Sequence, residues 1–142
     1  MEKNLKFLLF VLAGSLFLFL GCKKDHVNKT TPTTFTLNVT ASPSEGVVTG
    51  YFFASGDPTT SGTFKMAIQT VGDSLHCSQT LADPKGTIVI RSDCSTTSMQ
   101  GKWFVTDGTD AYWNLEGKGT LIMDFPANAP AVEALTGVTW RK

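Results

Sequence analysis

From Thr34 onward the chain alternates between polar and apolar positions. Phe35, Leu37 and Val39 interleave with Thr34, Thr36, Asn38 and Thr40. Successive side chains of a strand point to opposite faces, so a period of two predicts a strand with one buried face. Ala41-Ser42-Pro43-Ser44-Glu45-Gly46 ends it. Val47–Ala54 reads as a second strand, and Ser55-Gly56-Asp57-Pro58 with Ser61-Gly62 as the loop after it. Phe64, Met66 and Ile68 alternate on a third. Leu75, Cys77, Gln79 and Leu81 share one face of a fourth, and Ile88, Ile90, Ser92 and Cys94 one face of a fifth. Met99–Thr106 carries Trp103 and Val105 on one side, and Leu121, Met123 and Phe125 alternate further on. Leu135–Trp140 reads as the last strand, with Glu133 and Ala134 as a helical turn before it. About eight short strands, punctuated by Gly, Pro, Asp and Ser, predict an all-β domain. The pattern fits a sandwich or a small closed antiparallel β-barrel, and closure into a barrel removes exposed strand edges.

The fourth and fifth strands form a hairpin around Asp83-Pro84-Lys85-Gly86, where Pro favours the early turn position and Gly tolerates positive φ. Setting Leu81 opposite Ile90 places Gln79 opposite Ser92 and Cys77 opposite Cys94. That register aligns the apolar faces and the thiols together. It predicts a Cys77–Cys94 disulfide worth about 3 kcal/mol. The rival is a pair of buried free thiols.

The first residues follow another pattern. Met1-Glu2-Lys3-Asn4-Leu5-Lys6 is charged, and Phe7–Leu20 is apolar apart from Gly14 and Ser15. The run is too short to cross a bilayer as a helix, which needs roughly 20 residues. It ends in Leu18-Phe19-Leu20-Gly21-Cys22, followed by Lys23-Lys24-Asp25. A basic start, an apolar stretch and a small residue at its end describe a secretory signal. The Gly21-Cys22 end resembles a lipoprotein lipobox, of the kind carried by lipoproteins of the Bacteroidota. The resemblance implies cleavage before Cys22 and a lipid on its thiol. Phe19 stands where such motifs usually carry Leu. Residues 1–21 are therefore expected to be a signal peptide. The polar, Thr-rich residues 22–34 are expected to be the lipidated cysteine and a flexible tether, and residues 35–142 the barrel. The outer membrane is the expected location, on its periplasmic or surface face. Asp73-Ser74-Leu75 matches a short O-glycosylation motif of the same bacteria, which marks Ser74.

Charge narrows the function classes. Without Lys3, Lys6 and Glu2, the remainder carries 10 basic and 11 acidic residues. No basic patch stands out, so nucleic acid is not an expected partner.

The segment Gly101-Lys102-Trp103-Phe104-Val105-Thr106-Asp107-Gly108-Thr109-Asp110-Ala111-Tyr112-Trp113-Asn114-Leu115-Glu116-Gly117-Lys118-Gly119-Thr120 resembles the allene oxide cyclase-like barrel superfamily. Those proteins commonly show a Gly-x-Trp-x-Val strand, then Gly-Thr-Gly-x-Tyr, then Leu-x-Gly-x-Gly-Thr. Ser61-Gly62-Thr63-Phe64 and Lys85-Gly86-Thr87-Ile88 are in keeping with it. The likeness spans about Phe35 to Trp140 and implies a barrel. Asp110 replaces the usual Gly, which a left-handed backbone tolerates. Trp113 replaces a small residue and is expected to cap the core.

No catalytic constellation emerges. His76 lies on the opposite face from Leu75 and Cys77 and is expected to point outward. Asp57, Asp73, Asp83, Asp107 and Asp110 fall mostly in turns, while Glu45, Glu116 and Glu133 are scattered. The active-site residues of plant cyclases do not map onto matching positions, so that activity does not transfer. No metal or cofactor is expected. Phe35, Phe52, Phe64, Met66, Trp103 and Phe125 suffice to fill a small barrel. The expectation is a lipid-anchored envelope protein whose barrel binds an apolar small molecule or an envelope partner. An isomerase or cyclase acting on an apolar substrate, or a passive surface protein, is the alternative.

Overall fold

In a computed structural model, which describes residues 28–142, eight antiparallel strands close into one barrel in sequence order. They are β1 (Thr31–Ser44), β2 (Val47–Ser55), β3 (Thr60–Val71), β4 (Ser74–Asp83), β5 (Gly86–Ser95), β6 (Gln100–Gly108), β7 (Leu115–Asp124) and β8 (Val132–Arg141). β1 pairs with both β2 and β8, so no strand edge is left open. The alternation read from the sequence is the cause. Inward positions such as Phe35, Leu37, Phe52, Phe64, Leu81, Ile90 and Leu135 are buried, and their neighbours face out. β1 starts at Thr31, ahead of the expected boundary at Phe35. Thr33 is buried there, its hydroxyl 2.6 Å from that of Thr139 on β8. The expected signal peptide and Cys22 lie outside the described residues.

Trp103 fills the middle of the barrel. Its ring meets Phe35 edge-on at 5.7 Å between centroids, and its indole N–H donates to the Thr136 carbonyl at 3.3 Å. The space comes from glycine. A Cβ on Gly119 would lie 2.7 Å from the indole nitrogen, and one on Gly117 would lie 3.2 Å from the ring. A Cβ there would also meet β8, running into the Thr136 carbonyl oxygen at Gly119 and lying 2.9 Å from the Thr139 methyl at Gly117, so Trp103 and β8 together keep both positions small.

One end of the barrel is sealed. The linker between β6 and β7 makes a short 3-10 turn, Asp110–Tyr112, whose first residue has φ of 51°. Asp at that position adopts the left-handed backbone its side chain tolerates. The turn lays Tyr112 over the core, and Trp113 is 74% exposed. The capping role expected of Trp113 therefore belongs to Tyr112, one residue earlier. Tyr112 donates its hydroxyl to Asp83 at 2.5 Å, and Thr60 donates to the same carboxylate. Burial alone would raise the Asp83 pKa. The hydrogen bonds from Thr60, Tyr112 and the Lys85 N–H outweigh it and hold the carboxyl below its ordinary value. Arg141 ties the seal to Asp57 at 3.2 Å and to the Ala111 carbonyl at 2.6 Å.

Glu133 and Ala134 do not form a helical turn. They belong to β8, paired with Leu37 and Thr36 on one side and with Met123 and Ile122 on the other.

Candidate functional site at the open end of the barrel

The opposite end is not sealed. The β1–β2, β3–β4, β5–β6 and β7–β8 connections surround it. Val39, Val48, Ile68, Leu75 and Met99 are only partly buried around its rim. Val39, Val48, Ile68 and Leu75 wall a pocket of about 280 Å³ together with Met66, Met123 and Phe125. Phe125 is 60% exposed, so it edges this mouth and does not join the core expected for it.

Glu133 lies on the pocket floor with 2% of its surface exposed. Its inward position follows from strand parity, since Glu133, Leu135 and Thr139 occupy one face of β8. Behind it Gln79 on β4 donates one N–H to Glu133 Oε1 at 3.0 Å and the other to Ser92 Oγ at 2.8 Å. Both amide hydrogens are thereby used. Gln79 Oε1 and Glu133 Oε2 are buried with no hydrogen-bond partner. Burial pushes the Glu133 carboxyl up to about 7, against the lowering effect of the Gln79 hydrogen bond and the nearby Ser92 hydroxyl. The buried interior holds no basic side chain among the described residues.

Cys77 and Cys94 border this cluster. Both are buried and free, so the expected disulfide is absent. The reason is register. A two-residue loop, Pro84-Lys85, pairs Asp83 with Gly86, whose φ of 139° suits glycine. Leu81 then faces Ile88, Cys77 faces Ser92, and Leu75 faces Cys94. The two cysteines share the inner face as diagonal neighbours, where separations of roughly 7–8 Å are usual. That exceeds the Cα separation a disulfide spans, about 4.4–6.8 Å. The Cys94 thiol instead lies 3.8 Å from the Met123 sulfur. Burial, then the neighbouring Glu133 and Cys94, push the Cys77 thiol up to about 12. The nearby Ser92 hydroxyl pulls the other way. Such thiols are poor nucleophiles. Both cysteines are expected to resist a thiol reagent in the native protein and to react as two groups after unfolding without reductant. Two groups protected even after unfolding would restore the disulfide.

The remaining candidates lie elsewhere. His76 faces outward as expected, its Nδ1 2.5 Å from Asp93 Oδ1 on a solvent-exposed surface. Ser74 begins β4 at the open end, paired with Val71 and Ser95. Among the described residues no group of three or more His, Cys, Asp or Glu is placed to hold a metal ion. Glu133 is the site residue that sequence reasoning missed. Its alternation with Leu135 was the available signal, masked by the helical reading of Glu133-Ala134. Alternation puts Gln79 and Ser92 on inward faces, where both are buried, but Gln79 sits across from Ile90 and reaches Ser92 diagonally. No protein-family model matches the chain, and no curated protein matches it either.

Proposed function

We propose that this chain is a lipid-anchored protein of the bacterial outer membrane, tethered through Cys22, whose barrel binds an apolar small molecule in its open end. The resemblance to allene oxide cyclase-like barrels and to lipoprotein signals belongs to this proposal. One observation carries the binding role: a closed barrel sealed at one end keeps an apolar pocket with a single buried carboxyl at the other. Ligand pockets are mostly apolar, with few polar groups that set orientation. At about 280 Å³ this one suits a small molecule or one arm of a larger one. Filling it with Val48→Trp, at the partly buried rim, should abolish binding while leaving the sealed end intact. The test is organic extraction of the full chain purified in gentle detergent, followed by mass spectrometry. An apolar compound retained by the native chain and lost from Val48→Trp supports the reading. Identical extracts from both proteins overturn it. Radiolabelled palmitate should enter the native chain and not Cys22→Ala.

The Glu133 carboxyl favours a second reading. A carboxyl held at about 7 can give or take a proton near neutrality, as an isomerase acting on an apolar substrate requires. Turnover of a bound compound by the native chain, lost in Glu133→Gln, would establish it.

A further inference from the structure

We propose that the open-end pocket selects amphiphilic amines: molecules with a short apolar body and one protonated amino group that seats against Glu133 on the pocket floor. This rests on the reading of the pocket as a ligand site. The argument begins with what the floor lacks. Buried carboxylates in folded proteins are normally paired with a cation or fully hydrogen-bonded. Glu133 is neither. The groups facing it are Leu37 and Met123 on the flanking strands, Gln79 and Ser92 across the barrel, and the thiols of Cys77 and Cys94. None is basic.

The pattern of donors is informative too. Gln79 turns its amide nitrogen toward the carboxyl, so Oε1 of Glu133 serves as an acceptor. The two orphan atoms, Glu133 Oε2 and Gln79 Oε1, are both oxygens. Of the two residues Glu133 lines the pocket and Gln79 stands behind it, so the floor presents an uncompensated acid with an unsatisfied oxygen, complementary to a group with N–H donors and a positive charge. An ammonium has three donors and no acceptor. A hydroxyl offers one donor and no charge. A carboxylate offers no donor and brings a second negative charge. The apolar walls, with Met66, Met123 and Phe125 among them, cover the alkyl part, and the polarisable thioethers adapt to its shape.

The full chain is titrated with n-hexylamine, n-hexanol and hexanoate, at pH 8 and pH 5.5, and so is Glu133→Gln. At pH 8 the amine is expected to bind at least about tenfold more tightly than the alcohol, since hydrogen bonds to charged groups exceed neutral ones by that margin. Hexanoate is expected to bind most weakly. The preference for amine should collapse at pH 5.5, where Glu133 is protonated, and in Glu133→Gln at either pH. The carboxyl carbon resonance of Glu133 should titrate at lower pH in the presence of hexylamine. Equal binding of amine and alcohol, or a preference that survives Glu133→Gln, overturns the head-group assignment and leaves the pocket reading standing. Failure of all three probes to bind overturns both.

Discussion

Glu133→Gln is expected to stabilise the barrel by roughly 2–3 kcal/mol at pH 8 and to flatten its pH profile between 4.5 and 7. The sign follows from linkage. An ordinary glutamate pKa is 4.5, and the Glu133 carboxyl is held at about 7 in the folded state. Between those values the folded protein binds more protons than the unfolded chain, so stability falls as pH rises. The contribution is intact below pH 4.5 and lost by the time pH passes about 7. A gap of about 2.5 pH units corresponds to about 3 kcal/mol at 1.36 kcal/mol per unit. Other displaced groups act outside that window. Asp83 is held low, so its contribution is present above 3.8 and lost as pH falls further. Cys77, raised from 9.0 to about 12, acts in the alkaline range. The substitution removes the buried charge and lets an N–H donor take the place of the orphan Glu133 oxygen. Guanidinium unfolding at pH 4.5, 6 and 8 measures it. A native profile that is flat from 4.5 to 7, or a variant that keeps the native slope, contradicts the assignment of a buried, uncompensated acid.

Trp103→Ala is expected to cost about 3–5 kcal/mol. Domain stabilities are commonly 5–15 kcal/mol, so this takes a large share of the margin. The indole is buried, meets Phe35 at its edge, and lies over Gly117 and Gly119, which have no side chain to close the gap. The cavity cannot collapse from that side, which puts the loss toward the upper end. The Thr136 carbonyl also loses the indole donor. Denaturant midpoints at pH 5, where Glu133 is protonated in both proteins, isolate the effect. A loss under about 1 kcal/mol would mean that Trp103 does not hold the centre of the barrel.

The fold was legible because strand parity survives nearly every local error. Phe35, Leu37, Phe52, Phe64, Leu81, Ile88 and Leu135 alternate in the sequence and are buried in the structure. The hairpin register was not legible, for a physical reason. Sliding β5 by two residues returns every side chain to the face it left, so alternation cannot distinguish Leu81 opposite Ile90 from Leu81 opposite Ile88. The turn decides between them. Asp83-Pro84-Lys85-Gly86 closes in two loop residues, and that difference separates a feasible disulfide from two free thiols. At the site, Gln79 and Ser92 were visible as inward polar residues. Glu133 was hidden because a lone acid before a strand also reads as solvated. Phe125 and Trp113 failed in the same manner. Hydrophobicity says that a ring prefers burial, and only the ends of the barrel say which rings there is room to bury.

The direction in which β1 runs has a bearing on how a ligand arrives. β1 begins at Thr31, beside Thr139 and Arg141 at the Tyr112 seal, and runs toward the pocket. With Cys22 lipidated, as proposed, residues 23–30 reach roughly 28 Å at full extension. The lipid would then be attached at the sealed end, and the pocket with Glu133 would open at the end away from the attachment. Ligand entry and membrane attachment would lie at opposite ends of the barrel, so neither would obstruct the other.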